Sequence, residues 1–201
     1  VFCPRKPHPF GNEYHDICCG ISGILFRILI VEGKDKPKDA EKGRFEKFGK
    51  TTELLLELCS SIFHTGRVVI LDSGFCVLKA IIKLRQYGVF ASAVIKKRRY
   101  WPSYVKGDLI ERKMNERNTG ECDGITGKLN NVSYNLFFLK DSKYVMKIMS
   151  TYGTLHTSSE QQDTYRITSN GDSVTFKYTE CFENHYKYRH AVDDNNNLRH
   201  Q

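Results

Sequence analysis

Apolar positions change period twice between Arg67 and Arg99, in RVVILDSGFCVLKAIIKLRQYGVFASAVIKKRR, and the change predicts a strand, a helix and a second strand. Val68 to Leu71 is a short β-branched run ending at Asp72-Ser73-Gly74, where small residues allow a sharp turn. From Phe75 the spacing is helical, with Val77, Leu78, Ile81, Ile82 and Leu84 apolar and Lys79, Lys83 and Arg85 between them. Gly88 supplies the stop, and Val89 to Ile95 resumes as a strand. Such a unit implies two parallel strands joined by a right-handed crossover. Ligands of open α/β sheets sit beyond the carboxyl ends of the strands, and Asp72 lies at one of them.

Ahead of this unit, Pro4, Pro7 and Pro9 predict an extended lead-in. Tyr14 to Gly20 and Ile21 to Glu32 read as the two strands of a hairpin, and Gly33 to Lys50 as a charged, exposed loop. Leu54, Leu55, Leu58, Cys59 and Ile62 give the apolar face of a helix that Thr51 or Thr52 can cap. Beyond the unit, Tyr100 to Gly127 is polar and is predicted to wrap the surface. Val132 to Leu139, Tyr144 to Met149, Thr164 to Thr168 and Ser173 to Tyr178 are predicted short strands separated by Asn, Gly and Ser turns. They make residues 100–180 a β-rich layer, either inserted after the α/β unit or extending its sheet. Ala191 to Asn196 starts a further helix. The expected fold class is α/β, a mixed sheet flanked by helices, in one domain over residues 1–201.

Composition narrows the partners. The 201 residues are 40% hydrophobic and 27% charged, and no apolar run approaches the roughly 20 residues of a membrane span, so no membrane partner is expected. Val1 opens no signal peptide and is not an initiator methionine, and the last residues are the polar DDNNNLRHQ. A fragment of a soluble intracellular protein is the expectation. A net charge of +8 favours a polyanionic partner. Seven cysteines without a CxxC pair read as reduced, small buried hydrophobes. Lys96-Lys97-Arg98-Arg99, followed by Tyr100 and Trp101, suits phosphate contact and base stacking, as it also suits a solvated strand exit or a nuclear import signal. His185, Tyr186, Tyr188 and His190 fit either DNA contact or packing, and nothing places His15 as a base beside Cys19.

Three places carry carboxylates of interest: Asp16, Asp72 and the pair Asp193-Asp194. Two or three of them at one sheet edge could hold magnesium ions about 4 Å apart, clamping the attacking and leaving oxygens of a phosphodiester. The ordinary alternatives are a turn-forming Asp before Ser-Gly and a helix start at Asp-Asp-Asn.

The order strand, Asp72, two variable residues, Phe75, helix, Gly88, aliphatic strand, Lys96 to Arg99 resembles the second catalytic segment of piggyBac-type transposases. YKYRHAVD, Tyr186 to Asp193, resembles the family's approach to a Val-Asp pair, and Pro4-Arg5-Lys6-Pro7 with Phe10-Gly11 resembles the lead-in to its first catalytic strand. This resemblance, covering nearly the whole chain in segment order, implies a ribonuclease H-like fold with a β-rich insertion before the last catalytic segment. It implies DNA cleavage and strand transfer by acidic residues with magnesium (Mg2+), DNA as partner, and a nuclear location, with a homodimer left open. By position Asp72 matches the second acid and Asp193 the third, with Asp194 as a further candidate metal ligand. Asn196 falls where the family commonly has another Asp. Lys96, Lys97, Arg98, Arg99, Tyr100, Trp101 and Arg189 are the candidate DNA contacts.

Where the first acid should stand, late in the first strand, this chain has Cys19. Asp16 precedes it by about 10 Å of extended strand and on the opposite face. Sulfur is a poor ligand for magnesium, which prefers oxygen. The expectation is a domesticated, transposase-derived DNA-binding domain with an incomplete acid set. The alternatives are an active magnesium-dependent transposase or nuclease, and a non-catalytic protein-interaction scaffold.

Overall fold

The computed structural model describes residues 14–30, 45–96, 101–157, 160–168 and 170–194. The proline-rich lead-in and most of the charged loop lie outside them. Two compact units are distinguished, Val1–Ser61 with His190–Gln201, and Ile62–Arg189.

In the first unit, β1 (Tyr14–Cys18) pairs antiparallel with β2 (Leu25–Ile30), the hairpin expected from the pattern. Gly20 to Ser22 form its turn, so β2 starts later than Ile21. The register slips once: Ile17 faces Arg27 but Cys18 faces Leu25, which makes Phe26 the extra residue. The bulge therefore belongs to β2, and β1 keeps its alternation. Helix α1 (Lys50–Cys59) packs on both strands and buries Thr52, Leu55, Leu56, Leu58 and Cys59. Neither Thr51 nor Thr52 caps it. Gly49 is the N-cap residue, without a side-chain hydrogen bond, and the threonines lie inside the first turn. Its buried stripe runs 52, 55, 56, 59, the i, i+3, i+4, i+7 spacing of one helix face, which selects Leu56 in place of Leu54. Arg27 of β2 pairs with Glu57 and donates to the Ser60 hydroxyl, tying hairpin to helix.

The second unit is built on a five-stranded mixed sheet in the order β3-β4-β7-β6-β5. β3 (Val68–Leu71), α2 (Leu78–Gln86) and β4 (Phe90–Val94) form the predicted crossover, with β3 and β4 parallel. Ala80, Ile81, Ile82 and Leu84 of α2 are buried, and Val77 is its N-cap. Gly88 ends the helix region at φ +71°, and a Cβ there would come within 2.9 Å of the His64 Cα. That close approach lets the His64 amide donate to the Tyr87 carbonyl at 2.8 Å, aligning the entry to β3 with the entry to β4.

β7 (Val145–Ser150) pairs antiparallel with β4, followed by β6 (Val132–Lys140) and β5 (Cys122–Leu129). The β-rich segment thus extends the sheet, while β8 (Asp163–Ile167) and β9 (Ser173–Lys177) form a two-stranded ribbon. Side-chain alternation sorts the layers. Phe137, Leu139, Met146 and Ile148 share one face with Cys181 and Phe182 of α4 (Glu180–Tyr188). On the other face Phe138 stacks on Trp101, and Lys147 pairs at 2.8 Å with Glu111 of α3 (Gly107–Asn115). Phe182 is completely buried, a contribution of roughly 1.5–3 kcal/mol.

Tyr100 to Gly127 was expected as surface coil. Among its described residues it holds α3 and most of β5. Only Met114 of α3 is fully buried, and Leu109, Ile110 and Met114 are its only large apolar residues, too few in a nine-residue polar helix to stand out in the sequence.

Candidate catalytic and DNA-contact residues

Asp72 stands at the carboxyl end of β3, where the strand gives way to a 3-10 turn, Ser73–Phe75. Its carboxylate is exposed. It accepts from the Gly74 amide and the Ser73 hydroxyl, both at 3.4 Å, while its carbonyl accepts from the Phe75 amide at 2.9 Å. The turn is thus held mainly by backbone, and bonds as long as 3.4 Å hold the carboxylate oxygens weakly. The oxygens are accessible at the edge where an α/β crossover presents ligands. The predicted placement of Asp72 is therefore observed.

Asp193 and Asp194 belong to the other unit, in the helical turn Ala191–Asp194. Asp193 is 75% exposed and lies 3.8 Å from the His190 Nδ1, and the Asp194 amide donates to the His190 carbonyl at 2.9 Å. Asn196 lies outside the described residues.

Cys19 follows β1 and closes the hairpin turn. Its amide donates to the Ile24 carbonyl at 2.7 Å, its carbonyl accepts from the Gly23 amide at 2.9 Å, and its sulfur accepts from the Ser22 amide at 3.5 Å. Asp16 faces Ile28 in the ladder. Because the bulge residue is Phe26, β1 does not rotate Asp16 toward the Cys19 side. Within neither unit do three or more His, Cys, Asp or Glu side chains gather as a metal site among the described residues.

Among the DNA-contact candidates, Lys96 is exposed just after β4, and Lys97 to Tyr100 lie outside the described residues. Trp101 is half-buried. Its ring stacks on Phe138 at 5.7 Å, and a Cβ on Gly107 would come within 2.7 Å of it, so the indole packs closely against both residues. Arg189 is exposed at the end of α4, with its guanidinium 4.8 Å from the Tyr186 ring centre. His185 is buried within α4. The helix is pinned at its start by Glu180, whose carboxylate accepts from the Thr154 amide and hydroxyl, both at 3.0 Å.

Two features escaped the sequence reading. Asp141, in the β6-β7 turn, is buried and accepts from the Ser142 amide at 2.7 Å, the Arg166 Nε at 3.1 Å and the Tyr186 hydroxyl at 3.5 Å. Arg166 also donates to the Tyr178 hydroxyl, and Tyr178 stacks on Tyr186 at 4.6 Å. Burial drives the Tyr186 phenol well above its ordinary value, and Tyr178 upward as well. In sequence Asp141-Ser142 is an ordinary turn pair, and Arg166 lies 25 residues away. The second feature is a cavity of about 470 Å³ between the Trp101 loop and α3.

Six cysteines fall among the described residues. Cys59, Cys76 and Cys181 are buried, and desolvation pushes each thiol up to about 12, so they remain protonated hydrophobes, as expected. Among the described residues no helix is long and apolar enough to cross a membrane.

The mixed sheet with its flanking helices is a fold shared with a solved transposase. The chain is similar to the piggyBac transposase in a cryo-EM structure of its synaptic complex with hairpin DNA, with TM-score 0.65 and 12% identity. The match covers 96% of this chain and 35% of that one, so the chain spans about a third of that neighbour's length. No curated protein matches. A family model described as Transposase IS4 matches residues 1–201, and the chain belongs to this family of DDE-type transposases.

Proposed function

We propose that residues 1–201 are a DNA-binding part of a piggyBac-like DNA strand-transfer domain on a ribonuclease H-like fold, acting in the nucleus. Asp72 and Asp193 are two of its acids, and the set within these residues is incomplete. The observation that carries the reading is the exposed, weakly held carboxylate of Asp72 at the carboxyl end of β3. The DNA bound in the neighbouring structure supports the choice of partner.

The donor chemistry decides how magnesium fits. Asp72 offers two accessible oxygens, which suits a hard cation, and Asp193 and Asp194 are exposed carboxylates of the same kind. Cys19 offers sulfur that is already engaged in its own turn. Asp72, Asp193 and Asp194 are each candidate oxygen ligands, and a bound metal would stabilise charge on the attacking and leaving oxygens of a phosphodiester. Because the chain spans about a third of its neighbour, the proposal concerns the acids it carries, not the activity of a whole transposase.

The test is cleavage of labelled DNA with magnesium by the intact chain, by Cys19→Asp, and by Cys19→Asp combined with Asp72→Asn. No cutting by the starting chain, cutting by Cys19→Asp and its loss in the double variant are expected. Robust cutting by the starting chain would overturn the incomplete set. Silence of Cys19→Asp would overturn the assignment of position 19 to a missing acid and leave Cys19 as a turn residue.

A further inference from the structure

The cavity beside α3 carries charged groups that the acid set does not use. Trp101, Val105 and Leu109 give it apolar walls, Lys106 and Arg112 stand on its lining, and Asp108 is the one carboxylate among the lining residues. Lys106 and Arg112 are exposed, and among the described residues neither side chain makes a hydrogen bond or ion pair. The contrast within the same helix is plain: Glu111, one residue before Arg112, is paired with Lys147. Leu109 is 46% exposed and neighbouring Tyr104 66%, large apolar surface for a segment with so little to cover it.

A concave site of about 470 Å³ lies within the size range of small-molecule pockets, roughly 300–1,000 Å³. Apolar walls beside two unpaired cations match a ligand with one flat apolar part and one anionic part. Duplex DNA presents phosphates but keeps its bases stacked inside, and would leave the apolar walls in water. An unpaired nucleotide presents both together, a base face for the wall and phosphates for the cations. The indole itself is spoken for by Phe138 and Gly107, so the apolar wall comes chiefly from the edge of Trp101 with Val105 and Leu109.

We propose that this cavity takes an unpaired nucleotide of a DNA strand, with Lys106 and Arg112 on its flanking phosphates. The proposal rests on the reading of DNA as partner and adds a site remote in sequence from Asp72 and Asp193. Trp101 is the single tryptophan of the chain, so its fluorescence reports on this place alone.

The experiment titrates the intact chain, without divalent metal, with a short single-stranded DNA and with a blunt duplex of the same sequence, following both tryptophan emission and fluorescence anisotropy of labelled DNA. Single strands are expected to quench Trp101 and bind more tightly than duplex. The variant Lys106→Gln with Arg112→Gln should lose the quenching and about tenfold in single-strand affinity, with a salt slope lower by about 2. A variant removing equal charge elsewhere, Lys128→Gln with Lys143→Gln, should retain the quenching. Binding by the intact chain that is unaltered in the first variant, or equal loss in both, would overturn the site while leaving DNA as partner. No DNA binding by the intact chain would overturn both, and the two failures are thereby told apart.

Discussion

Asp72 and Asp141 both end a strand of the same sheet, and their surroundings give them opposite uses. Asp141 is buried, and its oxygens are occupied by an amide, a guanidinium and a phenol drawn from β8 and α4. The Asp72 carboxylate is exposed and, among the described residues, accepts only the two 3.4 Å bonds of its own turn. A carboxylate whose lone pairs are all engaged is part of the scaffold, because exchanging those partners for a cation would leave Arg166 without its counter-charge. A carboxylate held weakly at a strand tip keeps its oxygens for something else. Sequence position cannot separate the two, since both precede a serine.

The largest effect that would break this comparison comes from Asp141→Ala. Removing the acceptor strands Arg166, which is about a third exposed, and releases the Ser142 amide. Loss of a buried pair costs about 3–5 kcal/mol, and the partial solvation of Arg166 puts the expected value near the lower end, about 3 kcal/mol. The urea midpoint of the intact chain measures it. A loss under about 0.5 kcal/mol would show that Asp141 and Asp72 are not different in kind.

Tyr186→Phe should cost about 1 kcal/mol at pH 7, since one long hydrogen bond disappears while the ring stack on Tyr178 remains. The size of that deficit should depend on pH. Burial raises the Tyr186 phenol, so the folded chain keeps its proton at a pH where the unfolded chain has released it. The stabilisation from that phenol is complete below about pH 10, the unfolded value, and is lost as pH rises beyond it. The buried thiols, pushed up to about 12, impose a similar fall from about pH 9 on both proteins and cancel in the difference. The gap between the parent and Tyr186→Phe should therefore close above about pH 10. Parallel curves through pH 11 would remove Tyr186 from the Asp141 cluster.

The two regions also differ in how legible they were. β3, α2 and β4 follow from local rules, a β-branched run, a helical period and a glycine at positive φ, and Asp72 is found simply by asking what ends the strand. β6 to β9 were equally readable from strand composition between turn residues. Helix α3 was not, because Glu111 meets the sheet through a salt bridge and Leu109, Ile110 and Met114 are its only large apolar residues, too few to mark a period. The Asp141 cluster joins residues 141, 166, 178 and 186 across four elements, and such contacts are fixed by tertiary packing that no window of sequence contains. The cap of α1 shows the converse: Thr51 and Thr52 have the right chemistry, but the helix starts at Lys50 and takes them inside.

The smallest stability change should fall on the residue with the largest functional one. Asp72→Asn keeps the side chain's shape, and an amide oxygen can still accept from Gly74 and Ser73. Those contacts are long and exposed, so the change in unfolding free energy should stay within about 0.5 kcal/mol. The charge is what the substitution removes, and charge is what a hard cation requires. Metal binding is therefore the sharper measurement. Titrating magnesium or manganese into the intact chain should give a weak site that Asp72→Asn abolishes, while the urea midpoint hardly moves. A midpoint falling by 2 kcal/mol or more would make Asp72 a turn former like any Asp before Ser-Gly, and the contrast with Asp141 would collapse from the other side.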